Sequence, residues 1–97
     1  MKTFKAYQLA KDLNKKAQAV KLKAPYKDQF QRAVLSVALN LAEGSAKTSN
    51  ADRKRFYEIA LGSLRETQAI IDLMELKDLE QLADQLGAMV FKLCRSL

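Results

Sequence analysis

The chain has 97 residues, 48% of them hydrophobic, with three glycines, one proline and one cysteine, and its formal net charge is +6. This length predicts a single domain over residues 1–97, and the composition argues against disorder. No apolar run approaches the roughly 20 residues that span a bilayer, and the N-terminus does not resemble a signal peptide, so we expect a cytoplasmic protein.

The positive charge is concentrated in the first part of the chain. Residues 1–55 contain thirteen Lys or Arg against four Asp or Glu, whereas residues 56–97 contain four basic and seven acidic residues. This asymmetry indicates a polyanionic partner for the first part, although a solvated surface without a partner carries the same charges.

The first two predicted elements are helices, and the first is amphipathic because its apolar residues recur at three- and four-residue steps. The first helix is predicted from about residue 3 to 22, with lysines opposite its apolar face, and Pro25 ends that pattern. The second is predicted to begin near residues 26–28 and to end around Gly44, since glycine adopts positive φ at little cost.

The third helix is predicted to begin after Ser49, whose side chain can cap it, and to run to about residue 76. Asp78 is the predicted cap of a fourth helix. No segment alternates with the period of two that is typical of strands. Because the connectors are short, we predict an all-α fold, an up-down-up-down antiparallel four-helix bundle.

The second helix is apolar almost all the way round. Between Arg32 and Gly44 only Ser36, Asn40 and Glu43 interrupt the apolar residues, whereas a surface helix has an apolar arc of roughly 100°. One face is therefore expected inside the domain and the other against a second copy. The predicted interface residues are Leu35, Leu39 and their neighbours, and the predicted assembly is a ring-like homo-oligomer.

Catalysis is poorly supported by the residue types present. The chain has no histidine, so the commonest general base and a frequent metal ligand are missing. Cys94 has no histidine to activate it, and no glycine-rich phosphate loop is present. We predict that the protein is not an enzyme and has no catalytic residue, no metal site and no cofactor.

A basic cluster follows Gly44. Cations in the first turns of a helix interact unfavourably with its macrodipole. Because such unfavourable placements occur most often where function requires them, this cluster is a candidate binding site. Lys47, Arg53 and the amides of that helix end could hold a phosphate, or the arginines could pair with acidic residues nearby. The predicted nucleic-acid-binding residues are Lys11, Lys15, Arg32, Lys47, Arg53, Lys54 and Arg55.

Two further residues are unusual for helix interiors. Glycine in a helix interior lowers helix stability by about 1 kcal/mol relative to alanine. Because close approach of another backbone usually compensates for this cost, we expect one to pack against Gly62. Asn40 is expected to be a buried amide that bonds across helices.

Two segments together carry a family pattern: Arg32-Ala33-x-x-Ser36-x-x-x-Asn40-Leu41-Ala42-Glu43-Gly44 and, after Ser49, Phe56-x-x-Ile59-Ala60-x-Gly62-Ser63-Leu64-x-Glu66. The pattern resembles the bacterial four-helix-bundle family of proteins encoded in intervening sequences of 23S ribosomal RNA genes. This family includes the accessory variability determinant of diversity-generating retroelements. The resemblance implies a four-helix protomer in a ring-shaped homopentamer with a basic surface. In the retroelement branch that surface binds nucleic acid and works with a reverse transcriptase.

Two functions therefore remain open. The first is a non-catalytic, oligomeric protein that binds the backbone of RNA or DNA with low sequence specificity. The alternative is a protein-interaction scaffold that docks an acidic protein partner or a reverse transcriptase.

Overall fold

The computed structural model describes the backbone of residues 2–97 and the side chains of residues 5–97. The described backbone forms four helices and no strand, which confirms the all-α prediction. The helices are α1 (Lys2–Gln18), α2 (Ala24–Ser45), α3 (Asn50–Leu73) and α4 (Lys77–Arg95).

Neighbouring helices run antiparallel around a square. Ser36 Oγ and Ser63 Oγ lie 2.7 Å apart, and Gln29 Nε2 donates to Glu66 over 3.4 Å. A lower residue number on α2 thus pairs with a higher one on α3, which shows that these two helices are antiparallel. Within the described residues α1 contacts α2 and α4 but not α3, and α2 does not contact α4. The result is an up-down-up-down bundle measuring 40 × 22 × 18 Å.

The core occupies the space between the four helices, where each supplies one apolar stripe. Fully burying a large apolar side chain stabilises the fold by roughly 1.5–3 kcal/mol relative to leaving it exposed. Thr67 is the one buried polar residue among those described, and its hydroxyl donates to the Ser63 carbonyl over 2.9 Å. The largest fully buried apolar side chains are Leu13, Phe30, Val34, Val37, Leu41, Leu64, Ile71, Leu86 and Val90.

The turn between α1 and α2 lies earlier than the sequence predicts. α1 ends at Gln18, four residues before the predicted end, and α2 begins at Ala24 rather than near residues 26–28. Pro25 lies in the first turn of α2. Proline is tolerated there because the first N–H groups of a helix have no intrahelical acceptor, so Pro25 starts the second helix as well as ending the first pattern.

Gly44 does not end α2 in the way that the sequence analysis predicts. The helix continues to Ser45, and Gly44 has no positive φ. Its role is close packing, since a Cβ at this position would lie 2.6 Å from Cε1 of Tyr57. Glycine is therefore required by the α2–α3 contact rather than by helix termination.

Capping is predicted correctly for α3 but not for α4. Ser49 is the N-cap of α3, and its Oγ accepts from the backbone N–H of Asp52 over 3.1 Å. The N-cap of α4 is Leu76, without a side-chain cap bond, and Asp78 lies in the first turn instead. There its carboxylate still interacts favourably with the helix dipole.

α3 ends at Leu73, three residues before the predicted end. The chain leaves the helix through Glu75, which has a φ of 55°, and the N–H of Leu76 bonds back to the carbonyl of Ile71 over 2.9 Å. This arrangement is the Schellman motif, in which glycine usually occupies the left-handed position. No glycine marks the turn, so the sequence did not reveal it. Within the described chain, no helix combines the length and apolarity needed to cross a membrane.

Candidate nucleic-acid interface

One end of the bundle carries an excess of positive charge. α3 begins at this end and α2 and α4 finish there, because neighbouring helices are antiparallel. Seven described cations lie here against three carboxylates, Glu43, Asp52 and Glu58. We call this surface the basic end; its cations are Lys5, Lys47, Arg53, Lys54, Arg55, Lys92 and Arg95.

Sequence reasoning found four of these seven cations. It missed Lys5, Lys92 and Arg95, which lie on α1 and α4 and are far in sequence from the α2–α3 connector. Lys5 and Lys92 line a common groove of about 250 Å³. These cations could have been found from the topology. In an antiparallel bundle the last turn of α4, which is basic, lies beside the first turns of α3.

The α2–α3 connector is held by its own basic residues. Arg53 donates from Nε to the carbonyl oxygen of Lys47 over 2.8 Å, and Lys47 Nζ lies 3.2 Å from a Glu43 carboxylate oxygen. Arg55 lies 3.9 Å from Asp52. Both ion pairs are solvent-exposed, and such pairs typically contribute at most about 1 kcal/mol, so a phosphate can compete for these cations.

The ring of Phe56 brings two of these cations together. Lys47 Nζ lies 5.1 Å from the ring centroid and Arg55 Cζ lies 4.7 Å from it. Cation–π contacts of this kind contribute roughly 0.5–1 kcal/mol at exposed sites. The half-buried ring therefore positions charge at the basic end, and it is already in contact with protein cations rather than free to stack on a base.

The first turn of α3 offers fewer amides to a phosphate than the sequence suggests. The N–H of Asp52 bonds to the Ser49 hydroxyl, and the N–H of Arg53 bonds to the Ser49 carbonyl over 3.0 Å. Only Asn50 and Ala51 keep amides without a partner in the described chain. Phosphate contact at this end therefore depends mainly on the side-chain cations.

The remaining predicted binding residues lie elsewhere. Lys11 and Lys15 are exposed on α1, which is diagonal to α3. Arg32 is exposed in a groove of about 470 Å³ between α2 and α3, whose lining includes Asp28 and Glu66. The structure thus brings together Lys47, Arg53, Lys54 and Arg55, and it does not bring Lys11, Lys15 or Arg32 to them.

The outward sides of α2 and α3 are apolar. Leu35, Leu39 and Ile59 are 45%, 57% and 44% exposed in the protomer. Of the six exposed large apolar side chains in the described part of the chain, five lie on these two helices. We call Leu35, Leu39, Ile59 and the exposed Gly62 the apolar face. A single protomer therefore buries only one side of α2.

Two packing predictions are wrong for the protomer. Gly62 is exposed, and a Cβ there would meet no atom within 4 Å, so nothing in the protomer approaches it closely. Asn40 donates to the carbonyl and hydroxyl of Ser36 within its own helix, at 2.9 and 3.1 Å. Next to Asn40, the bond that crosses from α2 to α3 is made by Ser36 instead, whose hydroxyl lies 2.7 Å from that of Ser63.

Cys94 is buried on α4 opposite the first turns of α3. Burial, followed by the nearby charge of Glu58, raises the pKa of its thiol, while Lys54 acts in the opposite direction. A raised pKa keeps the thiol protonated at neutral pH, the unreactive form. Among the described residues, no three Asp, Glu or Cys side chains are grouped so as to hold a metal ion.

The chain was also compared with known proteins. A family model described as 23S rRNA-intervening sequence protein matches residues 2–95. No curated protein and no solved structure matched the chain. Since the family match spans almost the entire sequence, the chain belongs to the 23S rRNA-intervening sequence protein family.

Proposed function

We propose that this protein is a non-catalytic, self-associating protein that binds the phosphate backbone of RNA or DNA through its basic end. The observation that carries the proposal is the convergence of seven cations from four chain segments against three carboxylates. Cations that neutralise phosphates release condensed counterions, and this release supplies most of the free energy of non-specific binding.

Low sequence specificity follows from the side chains available. Base reading needs groups that reach base edges, and stacking on single strands needs free aromatic faces. At the basic end Phe56 is half-buried and contacts Lys47 and Arg55. The remaining contacts are lysines and arginines, which recognise the charge of the backbone.

Self-association is proposed from the apolar face. Leu39 and Ile59 expose about half of their surface in the protomer, and Gly62 next to them would allow a second backbone to approach. The family resemblance favours a ring-shaped homopentamer. Repeating the basic end in each subunit would multiply weak phosphate contacts by avidity, so that no single protomer needs to bind tightly.

The same apolar face favours a second candidate function, a protein-interaction scaffold. A partner protein could cover Leu35, Leu39 and Ile59 while its acidic residues contact the basic end. An acidic protein or a reverse transcriptase would have this role.

A salt titration separates the two functions. Fluorescence anisotropy of labelled RNA, DNA and poly-glutamate is measured from about 50 to 200 mM salt, where phosphate contacts produce a steep dependence. Binding of RNA or DNA with a steep salt slope, and weaker binding of poly-glutamate, supports the proposal. Preference for poly-glutamate supports the scaffold. Absence of nucleic-acid binding at the lowest salt contradicts the proposal.

A further inference from the structure

A second group of cations lies away from the basic end. It comprises two lysines on the outward side of α1, two in the connector of residues 19–23 and one in the first turn of α2. We call this group the lysine row; its members are Lys11, Lys15, Lys21, Lys23 and Lys27.

The lysine row is less neutralised by the protein than the basic end. None of its five members forms an ion pair with a described residue, whereas Lys47 and Arg55 both do. The nearest carboxylate on α1, Asp12, is already paired with Lys16 at 3.1 Å. Four of the five lysines are exposed, and Lys27 is half-buried.

The two cationic surfaces are centred towards opposite ends of the bundle, although Lys5 and Lys11 lie on the same helix, α1. Lys23 precedes α2 and Lys47 follows it, and the 22 residues of this helix span roughly 33 Å at 1.5 Å per residue. The surfaces also occupy different sides, because α1 is diagonal to α3, on which Arg53, Lys54 and Arg55 lie. A straight duplex lying against α1 therefore does not contact the α3 cations Arg53, Lys54 and Arg55 at the same time.

Acidic residues limit the second surface to the α1–α2 side. At the same end of the bundle the α3–α4 side carries Asp72, Glu75, Asp78 and Glu80, all exposed. Glu75 and Asp78 line a groove together with Lys21, so these carboxylates repel phosphates from that edge of the lysine row and leave its α1–α2 side as the favourable one for a polyanion.

We propose that the lysine row is a second phosphate-binding surface, so that this protein bridges two segments of nucleic acid, one on each surface. The inference rests on the proposed function, because it assigns the same ligand chemistry to both surfaces. Its consequence is that the protein raises the local concentration of one nucleic-acid segment near another.

The test uses two triple variants of the full chain that change the net charge equally. The row variant carries Lys15→Glu, Lys21→Glu and Lys23→Glu, and the end variant carries Lys54→Glu, Lys92→Glu and Arg95→Glu. Each is the charge-matched control for the other. Circular dichroism and sedimentation first establish that both keep the helicity and the size of the wild type. A variant that fails this test is replaced by the corresponding Lys→Gln or Arg→Gln set.

Two measurements are made with short DNA duplexes. Wild type and both variants here also carry Leu39→Glu, because an assembly of protomers would bridge duplexes through the basic ends of different subunits. Anisotropy of one labelled duplex gives affinity and salt slope, and energy transfer between separate donor- and acceptor-labelled duplexes reports bridging. Wild type is expected to bind and to produce energy transfer. Each variant is expected to keep binding a single duplex, to lose energy transfer, and to lower the salt slope by up to about three units for three lost contacts.

The outcomes separate this inference from the function on which it rests. If the row variant retains wild-type affinity and energy transfer, the lysine row is ordinary surface and the inference is wrong, while binding at the basic end stands. The inference is also wrong if the end variant alone abolishes all single-duplex binding, or if wild type binds single duplexes without energy transfer. If wild type binds no duplex, the proposed function itself fails.

Discussion

Arg53 closes the α2–α3 connector by donating from Nε to the carbonyl oxygen of Lys47 over 2.8 Å. The contact joins the first turn of α3 to the residue that follows α2, and it leaves the terminal nitrogens of the guanidinium without a partner in the described chain. A hydrogen bond to a charged group contributes roughly 1.5–3 kcal/mol when it is protected from water. Arg53 therefore has a structural role at the connector in addition to any contact with phosphate.

Changing Lys47 and Arg53 together to glutamate is expected to abolish RNA or DNA binding at the basic end, so that only binding at the lysine row remains. The double substitution reverses two charges at the centre of the basic end, and each lost phosphate contact lowers the salt slope on duplex DNA by roughly one unit. Anisotropy between about 50 and 200 mM salt measures the effect.

A second pair separates charge from connector geometry. Lys54→Glu with Arg55→Glu changes the net charge equally, but neither side chain bonds to the backbone. This pair should weaken binding while the melting temperature stays close to that of wild type. If both double variants bind as tightly as wild type, the basic end does not bind nucleic acid.

Gly44→Ala is expected to destabilise the fold. The added methyl would lie 2.6 Å from Cε1 and 2.8 Å from Cδ1 of Tyr57, a buried ring that cannot move without disturbing the α2–α3 packing. Overpacking of this kind typically costs about 1–3 kcal/mol. Urea unfolding should show a lower midpoint with an unchanged slope. An unchanged midpoint would show that the two helices can separate at no cost.

Sequence patterns predicted the helices better than their ends and their outward faces. The apolar spacing of the first helix predicts a core-facing stripe of Ala6, Leu9, Ala10, Leu13, Ala17 and Val20. Four of these six are buried, whereas Leu9 and Val20 are half-buried against the core, because such periodicity reports the core side of a helix directly. Helix ends depend on a few local bonds, and the turn at Glu75 uses a residue that is not typical of it.

The candidate site was only partly predictable for a different reason. Lys47 and Arg53 are close in sequence, whereas Lys92 and Arg95 reach the same end only because α4 runs antiparallel to α3. The charge asymmetry along the sequence also did not reveal that the basic residues of the first part lie on two separate surfaces. Lys15 belongs to the same basic segment as Lys47, yet most of the length of the bundle separates the two residues.

Glu75→Gly is expected to stabilise the protein. Glu75 has a φ of 55°, and a left-handed conformation costs a residue with a Cβ roughly 1–2 kcal/mol. Glycine removes that cost but loses more entropy on folding, so a net gain of about 0.5–1 kcal/mol is expected. Glu75→Gln is the matched control, because it removes the charge and keeps the Cβ. If the glutamine variant gains as much in urea unfolding, relief of charge repulsion rather than of backbone strain explains the effect.

Leu39→Glu is expected to dissociate the assembly without unfolding the protomer. Leu39 is 57% exposed in the single chain, so a carboxylate there remains hydrated, whereas in an interface between copies it would be buried without a partner. Gln85→Glu, which adds the same charge on an exposed position of α4, should leave the assembly intact. Sedimentation velocity should show a species well above the 10.9 kDa protomer for wild type and the control, and a smaller one for Leu39→Glu. A monomeric wild type at working concentrations would contradict self-association.

Gly62→Ala should change folding and self-association in opposite directions. In the protomer the new methyl would meet nothing within 4 Å, and alanine in a helix interior is favoured over glycine by about 1 kcal/mol. Urea unfolding under dissociating conditions should therefore show a more stable protomer. In an assembly packed on the apolar face, the same methyl would hold the second backbone away and weaken association. Ala69→Gly, at another exposed position of α3, should destabilise the protomer and leave its association unchanged. If Gly62→Ala stabilises the protomer and associates as tightly as wild type, no neighbouring copy packs closely against Gly62.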